Sequence, residues 1–490
     1  MSRLILVVLV GLVACLTSPN GSIAQPFRTG FVDNAAFYNV NPDVGSKWMA
    51  KAKSDGARMI RLNVYWDTIA PAHKPKDFNP VDPADPSYDF TLLDQALKSV
   101  RTHGLTPMLM AFLAPAWAEG PNRNPVARMG TWRPDPVQFA KFGKALALRY
   151  NGAFPDPASP GENLPAVRFF QAWNEPNLTL YLNPQAVGGR LTSPGIFREL
   201  QNRFYSAVKS VSPKAKVLAG GLAPIGRPNN VVIAPLKFLR RATCMTRKGK
   251  LQRGCHGFLR ADIWDAHPFT SGGPTHEAPG PDDVSLGDLP ELSKTLKAAD
   301  RIKGIRGVDR NTELWATEFS WDTEPPDPGG VPMWLAKRWV AEALYRMWKS
   351  GVSTMSWLSI VDAPDATAAI PWKDGAQSGF YFYTKDPSRA KAKASLQAFR
   401  FPFVAFKRRH GIFVWGRTPQ SAGGRVAIRV NRGRGWSILT NLRADETGIF
   451  RRFIRTNVTH GRVRAVFKGT GSVGFSLRRV PDRFFRPFGG

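Results

Sequence analysis

Two glutamates stand at the ends of apolar segments, where an enzyme built on parallel β-strands places its catalytic carboxylates. Glu175 follows segment 167–173 in an Asn-Glu-Pro motif, and Glu318 lies in a Thr-Glu-Phe motif at the end of segment 313–319. The carboxyl ends of the strands form the catalytic face of a parallel barrel. A neutral and an ionised carboxyl group held there have the chemistry to hydrolyse a glycosidic bond. The simpler alternative for Asn-Glu-Pro is a helix start, with Asn as the cap and Pro in the first turn.

The elements that must position these groups alternate along most of the chain. Strand-like apolar segments are separated by longer segments of helical periodicity, which favours parallel strands, and eight strands close a (β/α)₈ barrel. A doubly wound sheet is the alternative. The strands are expected near Phe31 and at 59–64, 107–114, 167–173, 216–219, 262–267, 313–319 and 354–360, with helices at 92–103, 136–150, 197–211 and 331–349 among them.

The pattern changes after about residue 407, where short β-like segments are separated by Gly and polar turns. Their spacing of about eight to twelve residues predicts a small all-β sandwich. We therefore predict an α/β fold with a (β/α)₈ TIM barrel over residues 25–406 and a basic β-sandwich-like accessory domain over 407–490.

The barrel region resembles clan A of the glycoside hydrolases, the retaining (β/α)₈ enzymes that include families 39 and 5. Asn174-Glu175-Pro176 after the fourth strand is similar to the acid/base motif of that clan, and Thr317-Glu318-Phe319 after the seventh is similar to its nucleophile motif. The resemblance spans the whole barrel and implies double displacement. Glu318 would attack the anomeric carbon while Glu175 protonates the leaving oxygen and later activates water.

The resemblance also implies substrate-binding roles. Arg61 would lie near the nucleophile, Asn174 would bind the sugar 2-hydroxyl, and His267 would follow the sixth strand. Trp357 would form the floor of the subsite of the cleaved sugar, with Trp117 as a second aromatic group. The alternative for each of these residues is a purely structural role, in the core for the aromatic side chains.

One departure concerns the residue that steadies the nucleophile. Phe269 stands where many relatives have Tyr, so the hydroxyl would be missing or would come from another residue such as Tyr65. An ion pair with Arg61 would favour the ionised form of Glu318. The charge of Glu318 would in turn raise the pKa of Glu175, as a general acid needs.

The N-terminus is typical of an exported protein. Arg3 precedes an apolar stretch over 4–16, and Ser22-Ile23-Ala24 fits cleavage before Gln25, so residues 1–24 are expected to be a signal peptide. The alternative is a lipoprotein anchored through Cys15, because residues 12–15 resemble a lipobox.

The cysteines and histidines indicate neither a metal nor a cofactor. Apart from Cys15, the chain contains only Cys244 and Cys255, which an oxidising compartment would join in a disulfide; two unrelated thiols are the alternative. Two cysteines cannot hold zinc by themselves, and no nearby pair of histidines has metal-ligand spacing.

The net charge of +31, from 68 Lys and Arg against 37 Asp and Glu, favours anionic partners. Residues 405–490 carry 19 basic and three acidic residues, and within 425–434 arginines alternate with apolar residues, which predicts a strand with a cationic face. Such a face would suit an anionic cell-envelope polymer, an acidic polysaccharide or a membrane surface. A merely solvated, Arg-rich exterior is the alternative, and nucleic acid is disfavoured because the chain carries an export signal and no recognition motif.

These features together predict a secreted retaining O-glycosyl hydrolase that cleaves a β-linked poly- or oligosaccharide. Beyond the N-terminus, no uncharged apolar run is long enough to span a bilayer. A family 39 type acting on xylosides or exopolysaccharide and a family 5 type acting on β-glucan or mannan both fit. The alternatives from other classes are a catalytically idle, carbohydrate-binding or wall-associated barrel and a basic protein that binds nucleic acid or membranes.

Overall fold

The computed structural model describes residues 26–227, 232–255, 257–364 and 376–480. The expected signal peptide and the alternative anchor Cys15 lie outside the described residues. Within them, no helix has the length and apolar character required to cross a membrane.

Eight parallel strands form a closed barrel in which each strand pairs with its neighbours in sequence and the eighth pairs with the first. This closed order confirms the predicted (β/α)₈ fold and excludes the doubly wound alternative. The strands are β1 (Arg28–Val32), β2 (Met59–Tyr65), β3 (Thr106–Phe112), β4 (Phe169–Ala172), β5 (Lys216–Leu222), β6 (Ile263–Ala266), β7 (Glu313–Phe319) and β8 (Val352–Leu358).

A helix follows each strand and covers the outside of the barrel. Two of them, α1 and α3, begin at a proline whose preceding residue, Asn41 or Asp135, caps the first turn through its side chain. The helices are α1 (Pro42–Ser54), α2 (Thr91–Thr102), α3 (Pro136–Arg149), α4 (Ser193–Val211), α5 (Pro235–Ala242), α6 (Leu289–Arg301), α7 (Met333–Lys349) and the short α8 (Leu396–Arg400).

The end of the barrel opposite the catalytic face is filled by apolar side chains. Six strands, β2 to β7, each contribute one buried residue to a separate interior cluster: Met59, Met108, Phe169, Leu218, Ile263 and Trp315. This packing closes the barrel below, so the polar groups at the carboxyl ends of the strands rest on a rigid base.

The C-terminal region forms antiparallel sheets, as predicted. One sheet has the order β9-β10-β13, and the other has the order β12-β11-β14-β15, with β16 also paired to β14. The first of these strands starts at Phe403, so the predicted boundary at 406/407 falls inside a strand. The strands are β9 (Phe403–Arg408), β10 (Gly411–Arg417), β11 (Gly424–Asn431), β12 (Trp436–Ala444), β13 (Ile449–Arg455), β14 (Arg462–Phe467), β15 (Thr470–Gly471) and β16 (Phe475–Ser476).

The C-terminal sheets pack on the barrel through aromatic and buried polar contacts. The ring of Trp415 lies 5.5 Å from that of Tyr345 and 5.4 Å from that of Trp348, both on α7. The buried guanidinium of Arg417 donates to the carbonyl of Phe27, beside β1, over 3.0 Å. The two regions therefore share one continuous core.

Candidate active site

The Asn-Glu-Pro segment is a tight turn and not a helix start. Trp173 and Glu175 adopt positive φ angles of 68° and 36°, which are uncommon for residues other than glycine and are concentrated at functional sites. The backbone N–H of Glu175 donates to the carbonyl of Gly221 on β5 over 3.0 Å. The buried amide of Asn177 donates to the carbonyls of Ala223 and Ile233, each over 3.0 Å. These bonds hold the Glu175 carboxyl over the barrel opening.

Arg61 links the two glutamate motifs. Its Nη2 lies 2.8 Å from Oε1 of Glu318 and donates to Oδ1 of Asn174 over 2.7 Å. The arginine side chain is fully buried, whereas that of Glu318 is 14 % exposed. A buried guanidinium thus binds the carboxylate at the end of β7 and orients the amide that precedes Glu175.

Further contacts lock the guanidinium in one orientation. Nη1 donates to Oγ1 of Thr317 over 2.7 Å, and Nε donates to Oδ1 of Asn63 over 3.0 Å. Because the guanidinium uses all three of its nitrogens in these bonds, a lysine at position 61 could not replace the full set.

His267 contacts the other glutamate. Its Nδ1 lies 3.0 Å from Oε1 of Glu175, and its Nε2 lies 3.0 Å from Nη1 of Arg61. Burial lowers the pKa of His267, but the charge of Glu318 and hydrogen bonds with Asp265 and Glu175 outweigh it and raise this pKa to about 10. Arginine can only donate, so Arg61 favours a bare Nε2, whereas the Asp265 carboxylate, 3.4 Å from Nε2, accepts a proton placed there in the charged ring. Both the neutral and the charged ring that satisfy these neighbours carry a proton on Nδ1, and that proton is donated to Glu175.

Asp265 contacts His267 and a residue near each glutamate motif in the sequence. Its buried carboxylate accepts hydrogen bonds from the backbone N–H of Thr317 over 2.9 Å and from its hydroxyl over 2.5 Å. It also accepts from Nε2 of Gln171 over 3.0 Å, and its Oδ2 lies 3.4 Å from Nε2 of His267. Burial alone would raise the pKa of Asp265, but the hydrogen bond with His267, the charges of His267 and Arg61 and the bond from the Thr317 hydroxyl hold it below its usual value.

The space around Asp265 requires a glycine on β5. Gly221 has a φ of +60°, and a Cβ at this position would lie 2.5 Å from the amide nitrogen of Gln171 and 3.1 Å from Asp265 Oδ2. A side chain here would therefore displace the polar network.

Glu175 and Glu318 lie close together. One oxygen of each carboxyl group and one nitrogen of His267 all lie within 4.8 Å of one another. Burial is the largest cause that raises the pKa of Glu175, and the charge of Glu318 adds to it against the lowering influence of His267 and Arg61. The expected direction is therefore correct, but burial contributes more than the neighbouring carboxylate.

Aromatic side chains line the site beside the carboxyl pair. The ring of Tyr65 lies 4.8 Å from that of Phe112, which lies 6.0 Å from that of Tyr181. Burial raises the pKa of Tyr181, and the charges of Glu175 and Glu318 raise it further. No hydrogen bond among the described residues joins Tyr65 to Glu318, so the suggested replacement of the missing hydroxyl by Tyr65 stays a prediction.

The other aromatic residues proposed from the sequence lie in packed clusters. Trp357 is only 2 % exposed, and its ring lies 4.8 Å from that of Phe380. Phe269 is buried, and its ring lies 6.2 Å from that of Phe319. Trp117 is half-buried, and its ring lies 5.9 Å from that of Trp66. The subsite roles of Trp357 and Trp117 stay predictions.

Sequence reasoning missed several groups that hold the site together. Asn63 lies two residues after Arg61 on β2, and Asp265 lies two residues before His267. Alternate residues of a strand share a face, so the signal was a second polar residue on the same face of an otherwise apolar strand. Gln171 and Thr317 are likewise buried polar residues of apolar strands.

Glu175, His267 and Glu318 fit a divalent cation poorly, although they are close enough to share one. Oε1 of Glu318 is paired with the Arg61 guanidinium, and Oε1 of Glu175 accepts from His267. A metal ion would have to compete with a fixed positive charge a few ångströms away.

The structure joins Cys244 and Cys255 in a disulfide, with Cα atoms 5.6 Å apart. The bond closes the loop after α5, on the outside of the barrel.

Comparison with known proteins shows similarity in fold and not in sequence. No protein-family model and no curated protein matches the chain. Among solved structures, a family 39 glycoside hydrolase from Bacteroides cellulosilyticus WH2 matches with a TM-score of 0.51 at 15% identity, covering 88% of this chain and 81% of the other.

Two further matches have lower TM-scores. A glucosidase from Croceicoccus marinus has a TM-score of 0.45 at 15% identity, over 90% and 95% of the two chains. Cel5A from Thermotoga maritima has a TM-score of 0.41 at 14% identity, over 76% and 97%. The family 39 match, with its TM-score of 0.51, shows that the chain shares the overall fold of that glycoside hydrolase, as the resemblance in its motifs implied.

Proposed function

We propose that this protein is a retaining glycoside hydrolase in which Glu318 is the nucleophile and Glu175 the acid/base. The observation that carries the proposal is the pair of largely buried carboxyl groups: one oxygen of Glu175, one oxygen of Glu318 and one ring nitrogen of His267 all lie within 4.8 Å of one another. Retaining enzymes hold their carboxyl groups about 5–5.5 Å apart, whereas inverting enzymes leave about 6.5–9.5 Å for a water molecule.

The environments of the two glutamates differ as the two roles require. Glu318 is paired with Arg61, which favours a carboxylate ready to attack. Burial raises the pKa of Glu175, which favours a protonated acid. In the first step a Glu318 oxygen bonds to the anomeric carbon, the glycosidic C–O bond breaks, and the Glu175 proton passes to the leaving oxygen. In the second, Glu175 takes a proton from water as that water displaces Glu318.

We further propose that the substrate is a β-linked poly- or oligosaccharide and that the enzyme acts outside the cell after export. Asn174 supports a sugar substrate, because Arg61 holds its Oδ1 and leaves its amide nitrogen to donate to a 2-hydroxyl. Export rests on the N-terminal sequence alone.

The test is hydrolysis of a panel of aryl β-glycosides and polysaccharides by the chain without residues 1–24. Glu175→Gln and Glu318→Gln should each abolish sugar release, whereas Glu199→Gln, on the exposed side of α4, should not. A 2-fluoro glycoside of the preferred sugar should label Glu318, and the first product should keep the anomeric configuration of the substrate.

Inversion of the product would overturn the assigned mechanism. Binding of a sugar from a broad panel without hydrolysis would favour the idle, carbohydrate-binding barrel instead.

A further inference from the structure

Five arginines share one face of the second C-terminal sheet. This arginine face comprises Arg425 and Arg429 of β11, Arg443 of β12, and Arg462 and Arg464 of β14. In the antiparallel register Arg425 stands directly opposite Arg443, and Arg429 stands directly opposite Arg464. The intervening residues of β11 are apolar and buried on the other face.

These cross-strand pairs bring like charges together, an arrangement that destabilises a sheet. No ion pair of the described residues joins the arginine face to a carboxylate. The only acidic residues between 403 and 480 are Asp445 and Glu446. Asp445 is engaged in its own turn, where it accepts from the N–H groups of Thr447 and Ile449. The face therefore keeps a positive charge that its own sheet does not neutralise.

Two of these arginines each have a buried Nε atom without a hydrogen-bond partner in the described chain. The Nε atoms of Arg429 and Arg464 are buried and unbonded there. Buried polar groups normally find a partner, and an anion seated between these two side chains would supply one.

An aromatic ring lies beside the same charges. The guanidinium of Arg464 lies 4.2 Å from the ring centre of half-buried Trp436, and neighbouring Ile438 is 60 % exposed. A sugar ring can pack its apolar face on such groups while its carboxylate binds a guanidinium fork.

We propose that the arginine face binds an anionic polysaccharide whose sugars carry carboxylates, and so holds the barrel on a charged polymer. The uncompensated charge of the sheet is enough by itself to favour an anionic ligand. The choice of a polysaccharide over nucleic acid or an anionic membrane rests on the proposed function of the barrel and on Trp436.

The experiment measures binding of the full chain without residues 1–24, carrying Glu318→Gln so that hydrolysis plays no part. The probes are polygalacturonate and the same polymer with its carboxylates methyl-esterified. Arg429→Gln combined with Arg464→Gln should weaken binding to polygalacturonate by about tenfold or more and lower the slope of log affinity against log salt by about one to two. Arg452→Gln combined with Arg455→Gln, two exposed arginines of β13, is the charge-matched control and should change binding little.

Three results would overturn the inference: equal binding of the esterified polymer, equal weakening by the control pair, or tighter binding of polydeoxythymidylate or phosphatidylglycerol vesicles at the same concentration of charge. Because the assay uses a hydrolysis-blocked chain, loss of the proposed enzymatic activity would not be mistaken for loss of this binding.

Discussion

Replacing Arg61 with methionine tests whether the guanidinium positions the catalytic groups or only fills the barrel. Methionine keeps much of the volume but removes the bonds to Glu318 and Asn174. Glu318 would then remain partly buried without its countercharge.

The size of the effect follows from the geometry. At 2.8 Å the attraction between Arg61 and Glu318 is about 6 kcal/mol for an effective dielectric constant of about 20. Desolvation offsets part of this, and removal of one partner from a buried pair typically costs about 3–5 kcal/mol. If that loss falls on the transition state, kcat/KM drops roughly 150- to 5,000-fold. Arg61→Lys keeps the charge but not the fork, so it should lie between the methionine variant and the wild type.

The assay is kcat/KM on the best aryl glycoside of the panel, corrected for the folded fraction measured by circular dichroism. Arg149→Met is the matched control. Arg149 ends α3, its side chain is also mostly buried, and its Nη2 lies 2.5 Å from Oδ2 of Asp94 on α2. It should lower the Tm and leave kcat/KM per folded molecule almost unchanged. A folded Arg61→Met chain whose kcat/KM stays within tenfold of wild type would refute the positioning role.

Three further predictions concern pH and stability. His267→Leu removes a hydrogen bond and charge that lower the pKa of Glu175, so the alkaline limb of kcat/KM should move to higher pH; an unmoved limb would contradict this coupling. Burial raises the pKa of Asp322 to about 8, so the contribution of this residue to stability should fall as pH rises from about 4 to 8. In urea unfolding, Asp322→Asn should therefore be more stable than the wild type at pH 9 but not at pH 4. Replacing Cys244 and Cys255 together by serine should cost about 2–3 kcal/mol of unfolding free energy and leave kcat/KM intact, which chemical denaturation and a rate assay would check.

The barrel could be predicted from the sequence because its signals are local and repeated. Each buried parallel strand is a short apolar run, and each helix has an apolar stripe at the helical period. The strand at Met59–Tyr65 and the helix at Pro136–Arg149 lie within one residue of the expected bounds at both ends. Helix α4 begins at Ser193, four residues earlier than expected, because a proline at its second position starts the helix before its apolar stripe.

The site was only partly predictable, since its members come from five strands. Short contiguous motifs in the sequence were enough to identify four of them: Arg61, Glu175, His267 and Glu318. Asp265 lies two residues before His267, but its role could not be inferred from that segment alone, because its partner Thr317 lies 52 positions away and meets it only through the pairing of β6 with β7. The register of that pairing is a property of barrel closure, which a linear reading does not contain.

The hydrogen bond from His267 to Glu175 has a consequence for how the acid works. Arg61 supplies one positive charge against the carboxylates of Asp265 and Glu318. An ionised Glu175 beside a neutral His267 ring would leave these groups with a net charge of about −2, which a largely buried site disfavours. The proton between His267 Nδ1 and Glu175 Oε1 therefore belongs to the pair, and the pH dependence of catalysis reports a pKa of that pair and not of one residue. Without His267, Glu175 would titrate alone. Its burial and the charge of Glu318 both raise its pKa and so favour the protonated, acid form.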